Sequence, residues 1–275
     1  MTPPPILVDI GLNLAHDSFD HDRDEVVSHA LAAGVRHMVI TGSTLDSSQR
    51  AIELASTRPG VFRATAGVHP HHAAELRTED LPRLRKLLAA PEVGAAGECG
   101  LDYFRNFSSH ADQERAFRWQ LELAVELRKP VFLHQRDAHD AFMAILGEYR
   151  PRLSAGVAHC FTGEARELHD YLELGLSVGI TGWICDERRG QHLRELVRQV
   201  PLDRLLVETD APYLLPRDLQ PKPSHRRNEP KFLPHITRVI AACRGEPYAS
   251  VAAATTANAL RFFGYAGQGE PAVPH

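Results

Sequence analysis

The chain predicts a closed (β/α)8 TIM barrel, on three observations. Strand-like and helix-like segments alternate eight times along 275 residues, close to the ~250 typical of one such barrel. The strand-like runs are short and continuously apolar, as strands buried on both faces require. Acids and histidines stand at the ends of several runs, where parallel closure would gather them at one mouth.

Each element follows from its local pattern. Residues 6–10 read as a first buried strand, and 24–33 as a helix with Val26, Val27, Ala30 and Leu31 on one face and Gly34 as its stop. Strands at 37–40 and 61–68 frame a helix at 47–56, which ends near Pro59. A helix at 81–90 tolerates Pro82 in its first turn. The remaining strands are 93–98, 131–134, 156–159, 176–180 and 205–210, with helices at 111–127, 138–149, 165–174 and 193–200 between them. A Pro-rich loop (Pro212, Pro216, Pro221, Pro223, Pro230) leads to helices over 233–263. A doubly wound open sheet would need a Gly-rich phosphate fingerprint after the first strand, and Asp9-Ile10-Gly11-Leu12-Asn13-Leu14 is not one. One domain over 1–275 is expected, with a frayed tail over 264–275.

Composition narrows the function. A net charge of −4 leaves no global basic field to recruit nucleic acid or membrane. No run of ~20 apolar residues could span a bilayer. Met1-Thr2-Pro3-Pro4-Pro5 has neither the basic start nor the apolar centre of a signal peptide. Cys99, Cys160, Cys185 and Cys243 show no paired spacing, so reduced thiols and a cytoplasmic location are expected.

The chemistry is expected at strand ends. Glu98, His134 and His159 close three successive strands, and Asp210 closes the eighth. A strand-end Glu is a poor buried residue unless paired or bound to metal. A salt bridge to Arg105 or Arg136 is its ordinary alternative. Two imidazoles on the next two strands favour a divalent metal held by Glu98, His134, His159 and Asp210. Asp210 also suits a general base, and Glu208, two residues before it, would orient it or pair with an arginine. His69 could donate to a leaving oxygen, or merely hydrogen-bond the strand end. Asp9 faces the mouth if strict alternation holds. His71 and His72 read as loop surface, and Cys99 and Cys160 as packing residues.

Positive charge concentrates in loops on the same side. Arg105 and Asn106 follow the fourth strand, Arg188 and Arg189 the seventh, and Lys222, Arg226 and Arg227 the eighth. A basic rim around a metal suits phosphodiesters. Tyr103, Phe104, Phe107 and Trp183 could stack bases beside it.

Gly67-Val68-His69-Pro70, Gly97-Glu98-Cys99-Gly100-Leu101-Asp102, His159-Cys160-Phe161-Thr162-Gly163 and Glu208-Thr209-Asp210-Ala211-Pro212 together resemble the TatD family of metal-dependent nucleases over essentially the whole chain. Gly182 to Gly190 and Arg226-Arg227-Asn228-Glu229-Pro230 are similar to the branch containing TatD itself. The resemblance implies a TIM-barrel hydrolase using magnesium or manganese, with zinc as a further option. It implies a 3′–5′ exonuclease acting on single-stranded DNA or RNA, with metal ligands at Glu98, His134 and His159 and Asp210 as acid–base or ligand. Where the wider family has Asp-x-His-x-His, this chain has Asp9-Ile10-Gly11-Leu12-Asn13, so a second metal loses two imidazoles. Magnesium becomes the expected ion, and any second ion would rest on Asp9, Glu98 or Asp210. An amidohydrolase of cyclic amides or lactones and a non-catalytic metal- or nucleic-acid-binding barrel are the rival readings. The rim arginines weigh against the first, and the retained Glu98, His134, His159 and Asp210 against the second. A monomer is expected.

Overall fold

The computed structural model describes residues 5–265. Eight parallel strands run in the order β1 to β8 in one sheet. They are Leu7–Leu12 (β1), Val35–Ile40 (β2), Phe62–Ala66 (β3), Val93–Asp102 (β4), Val131–Arg136 (β5), Gly156–Ala158 (β6), Ser177–Ile180 (β7) and Leu205–Val207 (β8). Helices alternate with them: Arg23–Ala32 (α1), Leu45–Thr57 (α2), Leu81–Leu88 (α3), His110–Glu126 (α4), His139–Tyr149 (α5), Ala165–Glu173 (α6) and Gln191–Leu196 (α7), with Leu233–Arg244 (α8) and Tyr248–Phe262 (α9) after β8. Among the described residues no helix is long and apolar enough to cross a membrane.

Closure of the barrel is a β1–β8 affair. Leu12 and Ala211 form an isolated parallel bridge. Asp210 N donates to Gly11 O at 2.8 Å, and Asn13 N to Ala211 O at 2.8 Å. Below them the Asp9 carboxylate accepts Thr209 N at 2.9 Å and Gly11 N at 3.3 Å, and it also accepts the Thr209 hydroxyl.

Asp9 is fully buried and does not line the mouth, contrary to the alternation-based expectation. Its neighbours Val8 and Ile10 both belong to the apolar filling inside the barrel, so the acid between them turns outward. Burial pushes its carboxyl up to about 7, against the hydrogen bonds from Thr209. The folded value lies above the unfolded one, so this group's stability is present below pH ~4 and is lost as pH rises through about 7. In Asp9→Asn the amide keeps the acceptors and donates to the Thr209 hydroxyl. The variant is expected to gain on wild type by up to ~3 kcal/mol as pH rises from about 5 through 7, with little further change to pH ~9, read by urea melts across that range.

The inner filling consists of Val8, Ile10, Val39, Ala95, Phe132, Val157 and Leu206, sealed at the N-terminal end by Ala259, Phe263 and Tyr265. Tyr265 is 5% exposed and its hydroxyl donates to Met38 O at 3.3 Å, so the frayed tail does not begin at 264. The rest of that tail, 266–275, lies outside the described residues. The larger apolar layer lies between strands and helices.

Two buried glutamines on α4 position the segments that follow β3 and end β4. Gln120 accepts Val68 N at 2.7 Å and donates to Val68 O at 2.9 Å, which fixes the chain just before His69. Gln113 does the same for Asp102, accepting its N–H at 2.8 Å and donating to its carbonyl at 3.0 Å. Each amide satisfies a backbone pair that would otherwise be buried without partners.

Candidate active site

Glu98 was expected to close β4, yet the strand continues four residues further, to Asp102. The pairing with β5 slips between Ala96 and Cys99. Gly97 and Gly100 have φ of +138° and +146°, which side-chain-bearing residues rarely adopt. A Cβ would also meet Phe132 O at 2.1 Å and His134 O at 1.9 Å. The slip delivers Glu98 into the barrel mouth from mid-strand.

There, one oxygen of Glu98 faces three imidazoles. Oε1 lies 2.9 Å from His159 Nε2, 3.0 Å from His134 Nδ1 and 3.3 Å from His69 Nε2. Burial alone would raise the Glu98 carboxyl, but the charges of His159 and His69 and hydrogen bonds from His134 and His159 hold it well below the usual range. His159 is the converse: burial is outweighed by Glu98 and Glu208, which hold its pKa well above the ordinary value.

Glu208 is fully buried behind His159, its Oε2 3.1 Å from Nδ1, and it also accepts Cys160 N. No arginine pairs with it and it makes no hydrogen bond to Asp210, so neither expected role is met; the group it orients is His159. A Cβ on Gly11 would lie 2.3 Å from Glu208 Oε2. The missing side chain on β1 is therefore the room that Glu208 occupies. Asn13 donates to Asp210 Oδ1 at 3.2 Å, so it positions that acid. Burial, against the charge of His159, pushes the Asp210 carboxyl up to about 7.

Asp102 and His71 were not foreseen. Asp102 Oδ2 lies 2.8 Å from His71 Nε2 and 3.4 Å from His134 Nε2. Burial opposes its ionisation, but His134, Arg105 N and His71 hold its carboxyl far below the usual range. The one available clue was Asp102 two residues beyond Gly100, which period-two reasoning could have placed on a continuing strand. His71 lines the cavity rather than the outer surface, because Ser108 holds its carbonyl at 3.0 Å. Cys160 lines it too: φ of +47° breaks the alternation that would have turned it away.

The cavity, ≈430 Å³, gathers Glu98, His134, His159, Asp210 and His69, with Asn13, Arg136, Trp183 and Tyr213 on its wall. The donor set fits a divalent metal. His134 Nε2 is buried without a hydrogen-bond partner, with the Asp102 carboxylate behind it. Glu208 likewise backs His159, so each ring turns its other nitrogen to Glu98, as in carboxylate–histidine–metal arrangements. The donor atoms of His69, Glu98 and His134 also lie within 4.8 Å of one another. However, His69 Nδ1 accepts His71 N at 3.1 Å, which leaves the proton on Nε2 and makes that nitrogen a donor.

The expected rim is only partly present. Arg188, Arg189 and Arg226 are exposed, and Arg189 lines a groove that shares Gln135, Arg136, Thr162 and Trp183 with the cavity. Arg227 is not available: it pairs with Asp22 at 2.5 Å, donates to Ser18 O at 2.6 Å and stacks over Phe19. Asn106 is spent on its own loop, donating to Tyr103 O at 2.6 Å and meeting His110 Nε2 at 2.7 Å. Arg105 is exposed beside Phe104 but does not line the cavity. Arg136, expected at most as a partner of Glu98, instead lies 3.8 Å from the Phe104 ring centre. Phe104, Phe107 and Tyr213 are 53%, 66% and 52% exposed. Tyr103 is not a free platform, since it stacks on His110 at 3.5 Å.

The profile of the family described as TatD related DNase matches residues 8–264. The chain belongs to the TatD family. Two of its relatives are named 3′-5′ ssDNA/RNA exonuclease TatD. The one from Erwinia billingiae is 54% identical over 94% of this chain and 98% of its own. The one from Pantoea vagans is 55% identical over 94% and 99%. Among solved structures, the TatD homologue YJJV from Escherichia coli is similar at a TM-score of 0.85 and 28% identity, covering 94% of this chain and 98% of its own. A hydrolase of the family from Entamoeba histolytica gives 0.86 and 26%, over 95% and 99%.

Proposed function

We propose that this TatD-family protein is a metal-dependent 3′–5′ exonuclease on single-stranded DNA and RNA. The observation that carries the reading is the Glu98 oxygen ringed by three imidazoles within 3.3 Å, with Asp210 on the same cavity wall. Glu98, His134 and His159, with Asp210 beside them, would hold a divalent ion, magnesium first and manganese or zinc after it. When bound, such an ion neutralises phosphate charge and acidifies water.

The chain's own groups supply the rest. Asp210, held by Asn13, accepts the proton of the attacking water. Burial depresses His69 to about 4, so the ring is neutral at pH 7 and cannot act as an imidazolium acid. It donates its Nε2–H to a phosphate or departing oxygen instead. Arg136, Arg189, Arg188 and Arg226 hold the strand through its phosphates, and Phe104, Phe107, Tyr213 and Trp183 offer faces for bases. Neither contact type reads sequence. A cytoplasmic monomer is the form in which this activity is expected.

The test is a set of oligonucleotides with magnesium. A linear single strand is expected to release mononucleotides from its 3′ end, and a 3′-terminal phosphorothioate block to suppress that release. A circular single strand should survive, and a hydantoin and lactone panel should show no turnover. Cutting of the circle, or shortening from the 5′ end, would refute the exonuclease polarity.

A further inference from the structure

We propose that Cys185, Asp218 and His235 form a second site, for a divalent transition ion and zinc in the first place. The three come from separate segments. Cys185 ends the 3-10 turn Gly182–Cys185 after β7, Asp218 lies in the Pro-rich loop after β8, and His235 stands in the first turn of α8. Their thiol, carboxylate and imidazole donor atoms all lie within 4.8 Å of one another. His235 Nε2 is 2.7 Å from Asp218 Oδ1. None of the three lines the catalytic cavity.

The donor chemistry chooses the ion. A soft sulfur with an imidazole and one carboxylate suits zinc and excludes magnesium, which takes hard oxygen ligands. Three protein ligands leave one tetrahedral position for water. Access is one-sided: the Asp218 and His235 side chains are 33% and 29% exposed, whereas Cys185 is fully buried. An ion can therefore enter from solvent while the sulfur stays shielded. On binding, the S–H bond breaks, Sγ bonds the metal, and the proton leaves to solvent.

The site would clamp the rim of the catalytic mouth. Asp186, next to Cys185, accepts the backbone N–H groups of Arg188 at 2.9 Å and Arg189 at 3.3 Å. Its other oxygen lies 3.6 Å from Nε of Arg217, the neighbour of Asp218. An ion between Cys185 and Asp218 would lock together the two loops that carry these arginines. Without it the three groups satisfy one another only as a hydrogen-bonded cluster.

Cobalt(II) titration of metal-stripped full-length protein tests this, because a thiolate ligand gives cobalt a near-ultraviolet charge-transfer band. The band is expected to saturate at one equivalent in Glu98→Gln, where the catalytic cavity no longer competes for cobalt, to be displaced by zinc, and to persist in wild type and in Cys160→Ala. The latter matters because Cys160 lines the catalytic cavity. The band should vanish in Cys185→Ala. Asp218→Asn and His235→Gln alter partly exposed groups and should weaken cobalt at least about tenfold with the fold intact. No band with excess cobalt, a band retained in Cys185→Ala, or undiminished affinity in both other variants would overturn the site.

Discussion

Glu98→Gln is expected to lower exonuclease turnover by more than about 1,000-fold, as loss of both a metal ligand and its charge implies. The reason is positional. A single oxygen of Glu98 meets His69, His134 and His159, so no neighbouring carboxylate can substitute for it. Glutamine fits the same space and can keep one carbonyl acceptor among the three rings. It removes a negative charge that, with Glu208, holds the His159 pKa above its ordinary value. Metal analysis and circular dichroism separate the causes: the variant should keep its far-ultraviolet spectrum and lose active-site metal. Wild-type rates in a correctly folded Glu98→Gln would remove Glu98 from the machinery.

Much of this site was legible in the chain because parallel closure is an averaging operation. Glu98, His134, His159 and Asp210 lie far apart in sequence, yet any closed barrel brings their strand ends to one mouth. Errors arose where the backbone leaves regular alternation. The slip at Gly97–Gly100 carries β4 past Glu98 to Asp102, beyond the end that its apolar run marks in the sequence. Positive φ at Cys160 turns a supposed packing residue into the cavity wall. Asp9 fails in the same way: the β1–β2 pairing shifts between Leu7 and Val8 and again between Asp9 and Leu12, so Val8 and Ile10 fill the interior and the acid between them turns outward. Arginines posed a different difficulty. Arg227 and Arg226 are adjacent and alike in sequence, but only the fold shows that Asp22 and Ser18 claim the first. Gly11 looked like a subtraction from the site. Its meaning emerges only with Glu208, whose carboxylate fills that space and steers His159.

Asp210→Asn is expected to reduce kcat by about 10²–10⁴-fold, the range for a general base, while KM changes little. Asparagine preserves the shape and can still meet Asn13, but it cannot accept the proton of an attacking water. In the metal-free protein burial places the Asp210 carboxyl near 7, so it ionises as pH rises through that value. A bound cation favours the charged form and moves the midpoint lower. Wild-type kcat should therefore climb with pH along an acid limb centred at or below about 7, and the residual activity of Asp210→Asn should lack that limb. Stability gives an independent check of opposite sign. A carboxyl raised above its unfolded pKa makes folding less favourable as pH climbs through about 7. Chelator-treated Asp210→Asn should accordingly melt above chelator-treated wild type at pH 8, and the gap should shrink toward pH 5. A slow but more stable variant separates a base from a structural residue, whose loss would lower both. A variant that retains both kcat and the acid limb would assign the proton to another group.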